Sequence, residues 1–335
     1  MSSGNRAVVA ALGANLAIAV GKFTAFAFTG SSSMLAEGVH SLADSGNQVL
    51  LLVGGRRSRR AATPQHPFGY GRERYVYAFI VSIVLFSLGG VFAVYEGVHK
   101  IRDPHPLDSP AWAFGVLAFA IVAESFSFRT AVRETRPLLG GQSWGRFLRT
   151  AKAPELPVVL LEDAGALVGL LLALIGVSLA VATGNGRWDG LGSLSIGLLL
   201  VAIAVFLGVE MKSLLIGEAA APAQVAAITA AVVDGRSITR VIHLRTLHLG
   251  PEELLVAAKI AVVGGDTAAS VAAAIDAAEA RIRAAVPIAR VIYLEPDLYD
   301  EAHSAYDKAH SGSSSLPDPA DDRMDDVPHA QKEHE

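Results

Sequence analysis

The sequence predicts an α-helical membrane protein with six transmembrane helices followed by a small cytoplasmic α+β domain. Three observations carry this. Of 335 residues, 52% are hydrophobic and 18% charged, with a mean hydropathy of +0.41; a soluble domain carries about 25% charged residues. Six stretches reach the roughly 20 apolar residues needed to cross a hydrocarbon core of about 30 Å. Basic residues also alternate from rich to poor along successive loops, as membrane topology requires.

The six stretches are 7–28, 33–54, 75–98, 111–131, 156–181 and 191–215, within a transmembrane domain of residues 1–217. The breaks carry turn chemistry: Thr29-Gly30-Ser31, Thr63-Pro64 through Gly71, Asp103-Pro104-His105-Pro106 and Gly184-Asn185-Gly186. The first stretch is longer than the roughly 7–15 apolar residues of a signal peptide, so it is read as a retained span. Helix two is the least apolar, interrupted by Glu37, His40, Asp44, Asn47 and Gln48. Arg56, Arg57, Arg59, Arg60, Arg72 and Arg74 follow helix two; Arg129, Arg133, Arg136, Arg146, Arg149 and Lys152 follow helix four. The other loops offer only Lys100 and Arg102, or Arg187. Both termini are therefore expected on the cytoplasmic side.

Residues 218–300 change character. Segments 221–234 and 267–286 read as helices, the second with Val271, Ile275, Ala278, Ile282 and Val286 on one apolar face. Segments 239–249 and 254–263, joined at Gly250-Pro251, and the short 291–294 read as strands. The order αββαβ fits a ferredoxin-like layer of two helices over one sheet. Residues 301–335 form an acidic tail rich in Ser, Asp, Pro and His without apolar periodicity, expected to be disordered.

Composition closes off several classes. The absence of cysteine excludes disulfides, thiolate metal sites and thiol catalysis. A net charge of −4 gives nucleic acid no basic surface. No HExxH motif or phosphate loop is present, so no enzyme is expected.

The informative polar residues lie inside the spans. His40 and Asp44 are one turn apart on one face of helix two, with Glu37 and Asn47 extending the stripe. An ionisable group near mid-helix costs roughly 2.5–3.5 kcal/mol on insertion scales, so two on one stripe call for a partner, a cavity or an ion. An imidazole nitrogen and a carboxylate oxygen at this spacing can both reach one divalent cation at about 2.0–2.2 Å. The alternative is a polar stripe that packs helices through hydrogen bonds. On helix five, Glu162-Asp163 interrupts a run of Val and Leu. Neighbouring residues point about 100° apart, so one acid can face a site while the other takes a supporting part. Pro157 leaves open a second reading, in which the acids complement a helix N-terminus. Glu124 is a further intramembrane acid on helix four.

The segment Ser31-Ser-Ser-Met-Leu-Ala-Glu-Gly-Val-His40-Ser-Leu-Ala-Asp44-Ser-Gly-Asn-Gln48, the loop His66-Pro-Phe-Gly-Tyr-Gly-Arg72 and Leu244-Arg-Thr246 in an αββαβ domain resemble the cation diffusion facilitator family. The stretch Pro157-Val-Val-Leu-Leu-Glu-Asp-Ala-Gly-Ala-Leu is similar to its mitochondrial zinc-transporter-like subgroup. The resemblance implies six-helix proton antiporters of zinc or manganese and a homodimer. It also implies a transport site made of His40, Asp44 and Asp163; where a fourth ligand is expected stands Val159, so Glu162, a water or Glu37 would complete the shell. Imidazole favours zinc over oxygen-preferring ions. In the loop, Tyr70 replaces a metal-binding His, and in the soluble domain Ile242, Lys259 and Leu294 do the same.

The function expected from residues and resemblance together is efflux of a divalent cation, Zn2+ ahead of Mn2+, Fe2+ and Co2+, in exchange for protons. The ligands are His40, Asp44, Asp163 and Glu162. The expected setting is a bacterial inner membrane, with a homodimer in the lipid bilayer and no resident cofactor. Two alternatives stay open. One is a proton-coupled transporter of another substrate. The other is a non-transporting scaffold or metal sensor with a degenerate site.

Overall fold

The computed structural model describes residues 3–29, 32–104 and 110–299. The predicted acidic tail lies outside the described residues. The chain divides into two compact units: Met1–Ala220 with Thr246–Leu255, and Ala221–Arg245 with the chain from Val256 onward.

The first unit is helical. It contains α1 (Ser3–Thr29), α2 (Ser32–Arg57), α3 (Glu73–Val84), α4 (Phe92–Arg102), α5 (Pro110–Thr135), the short α6 (Trp144–Thr150), α7 (Glu155–Thr183) and α8 (Arg187–Ile216). A π-helical turn, Leu85–Val91, joins α3 to α4 in one rod, and a 3-10 turn, Arg136–Leu139, extends α5. Among the described residues four rods are long and apolar enough to cross a membrane: Glu73–Arg102, Pro110–Leu139, Glu155–Thr183 and Arg187–Ile216. The described apolar run of α1, Val8–Gly21, is shorter. In α2 the polar stripe at Asp44, Asn47 and Gln48 breaks the apolar run.

The rods pack in a bundle with α7 against α1, α5 and α8, and α8 also against α3 and α4. Glycine sets the spacing of the last pair. A Cβ at Gly97 would meet the Leu194 backbone nitrogen at 2.5 Å, and one at Gly197 would meet that of Val94 at 2.5 Å. The two helices therefore touch backbone to backbone, as small residues permit between membrane helices. The buried core includes Tyr75, Val81, Leu156, Val159, Leu207 and Met211.

Two features of this unit amend the sequence reading. Arg74, counted as a loop charge, lies in the first turn of α3 and is buried, paired with Glu155 at 3.3 Å. The helix carrying Glu162 and Asp163 begins at Glu155, so both acids lie beyond the first turn, where the dipole's influence has faded. The N-terminus alternative therefore falls away.

The second unit contains α9 (Pro222–Val232), α10 (Ala268–Ala285) and most of a three-stranded sheet in the order β1 (Ile238–Gly250), β2 (Glu253–Val262), β3 (Ala289–Asp297), the tip of the β1–β2 hairpin belonging to the first unit. Element order αββαβ is as the sequence predicts. Leu254, Val256, Ala258 and Ile260 are buried at the two-residue period of a strand. Ala274, Ala278 and Ile282 turn inward from α10, and Arg281 closes the end of α9 by donating to the carbonyls of Ala231 and Val232 at 2.7 and 3.0 Å. Lys259 bonds Asp297 at 3.0 Å across the sheet.

Candidate metal-translocation cavity

A cavity of about 330 Å3 lies inside the helical unit. At one end its wall carries Asp44 and Ser41 from α2, Glu124 from α5 and Glu162 from α7. Along α7 the wall continues through Gly165, Ala166, Gly169, Ala173 and Val177. Spacings of three and four residues keep these on one helix face. Small side chains leave the space open, and Glu162 to Val177 spans about 22 Å at 1.5 Å per residue. At the far end stand Lys100 and Asp189, paired at 3.2 Å.

The acids are held by amides and a hydroxyl. Asn47 Nδ2 donates to Glu162 Oε1 at 3.1 Å and Gln48 Nε2 to Oε2 at 2.9 Å. Asn15 Nδ2 on α1 in turn donates to Gln48 Oε1 at 3.3 Å. This chain ties α1, α2 and α7 together in a region where water is scarce and each polar group needs a partner. Asn47 is buried, and its Oδ1 has no hydrogen-bond partner among the described residues. Asp163 turns away from Glu162: it is 1% exposed and accepts from Ser127 Oγ on α5 at 2.7 Å.

The structure thus brings Asp44 and Glu162 to one cavity and sets Asp163 beside it on Ser127. His40 and Glu37 lie in the first half of α2, and their side chains are outside the described residues. Among the described residues no three His, Asp or Glu side chains gather closely enough to hold a metal. Val159 is fully buried in the core.

Residues 8–216 match the cation efflux transmembrane domain family. The chain belongs to the cation diffusion facilitator family. It is 34% identical over 231 residues to the mitochondrial proton-coupled zinc antiporter SLC30A9 of Homo sapiens, covering 68% of this chain and 41% of that protein. Metal tolerance protein C4 of Arabidopsis thaliana is 33% identical over 64% of this chain and 47% of its own length. The cation-efflux pump FieF of Salmonella arizonae is 26% identical over 75% of this chain and 79% of its own. The chain therefore spans about two fifths of the length of the antiporter it matches.

In this cation diffusion facilitator the histidines outside the spans lie apart from the cavity. His66 and Thr63 form an antiparallel bridge, and the His66 and Tyr70 rings lie 4.7 Å apart. His243 lines a basin of the sheet domain with Ala257 and Glu279, whereas His248 is buried and receives no second histidine among the described residues.

The sequence marks Glu124 as an intramembrane acid but gives no reason to single out Asn15, Ser127, Lys100 and Asp189. Asn15 and Ser127 are visible there only as lone polar residues in apolar spans. Lys100 and Asp189 are hidden by their position near helix ends, where charge is ordinary.

Proposed function

We propose that this protein exports a divalent cation, Zn2+ before Mn2+, Fe2+ and Co2+, in exchange for protons by alternating access. The observation that carries the reading is the acid-lined cavity, with Asp44, Glu124 and Glu162 contributed by three different helices. Family membership and the likeness to a human protein named as a proton-coupled zinc antiporter support it.

His40, Asp44, Asp163 and Glu162 are the proposed ligand set. A metal ligand must be deprotonated, so protons and metal compete for the same oxygens and nitrogen. That competition is the coupling: a proton gradient directed inward empties the site toward the outside. Glu162 begins with its oxygens held by Asn47 and Gln48, so cation binding exchanges an amide hydrogen bond for a metal bond. Asp163 would reach the ion only by leaving Ser127, which makes Ser127 its resting partner.

Positive loop charge supports reading the Lys100–Asp189 end as the outside face, so the cavity marks the exit path. We further propose six spans, with residues 1–217 as the transport domain, 218–300 as a cytoplasmic domain that pairs two copies, and 301–335 as a tail. The proposed setting is a bacterial inner membrane with both termini inside.

Isotope-traced flux into proteoliposomes under an imposed pH gradient tests this. Zn2+ should accumulate with counterflow of protons, and the other three ions more slowly. Zn2+ flux equal to that of empty liposomes would leave a non-transporting sensor, the reading favoured by Val159 at a ligand position. Proton flux indifferent to metal would point to another substrate.

A further inference from the structure

At one end of the α5 rod a basin of about 430 Å3 is lined by Arg129, Val132, Arg133, Arg136 and Pro137. Arg129, Arg133 and Arg136 are spaced by four and three residues, so the guanidinium stems leave one helix face. All three are exposed, and among the described residues none has an ion-pair or hydrogen-bond partner. Glu134, the acid of that turn, is half-buried and lies about 100° round the helix from Arg133.

The same face is apolar further along the span. Phe119, Val122 and Phe126 are 49%, 71% and 67% exposed and continue the stripe at the same spacing. From Val122 to Arg133 the axis rises about 16 Å, comparable with half of a hydrocarbon core of about 30 Å. An amphiphile lying along this stripe would place acyl chain against Phe119, Val122 and Phe126 and its headgroup among the arginines.

We propose that this face of α5 is a binding site for an anionic phospholipid. The three guanidiniums hold its phosphate, and the aromatic stripe holds an acyl chain. Charge complementarity selects the occupant: three clustered arginines on a membrane-spanning rod need an anion at headgroup depth, and fork-shaped donors match phosphate oxygens in pairs. The apolar continuation distinguishes a lipid from a free phosphate, which would leave the aromatic stripe unused.

The chain has no cysteine, so Ser125→Cys, at an exposed position beside the stripe, supplies a single thiol for a fluorophore in the full-length protein. The labelled protein in nanodiscs is titrated with phosphatidylglycerol or phosphatidylcholine carrying brominated acyl chains. Phosphatidylglycerol should quench at far lower mole fraction, by roughly fivefold for each arginine engaged. Replacing Arg129, Arg133 and Arg136 together with Gln should abolish the preference, and Arg133→Gln alone should reduce it by roughly fivefold if the triple variant does not fold. Equal quenching by both lipids with all three arginines present overturns the proposal. So does an undiminished preference in either variant. A disulfide joining two copies of the unlabelled Ser125→Cys protein overturns it too, since it would show a second copy on this face. No outcome depends on transport.

Discussion

Asp44 lies on the cavity wall in a helix that carries little else to bind a cation among its described side chains. Asp44→Ala should abolish Zn2+ transport in proteoliposomes while expression and dimerisation persist; normal flux would remove Asp44 from the site. The acids of α7 divide by direction. Glu162 faces the cavity and Asp163 faces Ser127, so Glu162→Gln should weaken calorimetric zinc affinity strongly, since an amide replaces a carboxylate in a low-dielectric site. If Glu162 only supports another ligand, the loss should be about 10–100-fold. Val159→His offers an imidazole one turn before Asp163 and should restore part of the affinity in the Glu162→Gln background. Unchanged affinity in Glu162→Gln would leave a water or Glu37 as fourth ligand. Sequence alone supplied the residue types and the 100° argument. It could not say which acid faced inward, because that depends on how α7 is rotated against α5 and α8. The partners Asn15 and Ser127 come from other helices, and long-range pairings of this kind leave no local spacing to read.

Among the elements, the tip of the β1–β2 hairpin carries a titratable group whose environment is defined. His248 is buried, its Nδ1 lies 3.4 Å from the Gly250 carbonyl, and its backbone nitrogen donates to the Glu218 carbonyl. Burial pushes its imidazole below the ordinary value of 6.5, only partly opposed by the Gly250 carbonyl and the Glu218 carboxylate. Glu218 itself is held below the carboxylate range: burial raises it, but hydrogen bonds from Lys152 and Ser213 outweigh burial. The unfolded chain therefore binds a proton at His248 before the folded chain does. The stability from the neutral ring is complete above about pH 6.5 and is lost as pH falls toward the lower folded value. Thermal unfolding of the wild type should move to lower temperature between about pH 7.5 and 5.5, and His248→Gln should flatten that slope. An unchanged slope would show that another group controls it. Hydrophobic period and turn residues made these elements legible: the αββαβ order follows from them directly. The π-helical turn at Leu85–Val91 was not legible, because a one-residue widening within an apolar run alters no composition and no turn signal.

For the molecule as a whole, the helical class and the small C-terminal sheet domain were readable, because a bilayer imposes length and apolarity on its spans; of the six spans expected, four are long and apolar enough among the described residues. The cavity was less so: its wall draws on residues from Ile18 to Leu200. The tail is the simplest large-scale test. Removing the chain after Ala302 should leave Zn2+ flux nearly unchanged, since the segment has no apolar face and widely spaced histidines. A large fall at equal protein level would assign those histidines a part in metal capture.

The ion pair at the cavity mouth has a kinetic meaning. Lys100 also lies 3.9 Å from Glu96, so the mouth holds two acids and one ammonium. On the proposed exit path, a departing zinc ion would meet Asp189 already occupied by a tethered cation. It would gain little by pausing at Asp189, and the mouth's remaining carboxylate, Glu96, stays open to solvent. On that path the tethered ammonium keeps the mouth from becoming a second binding site, so an ion would pass between the acids of the cavity and open water without a stop.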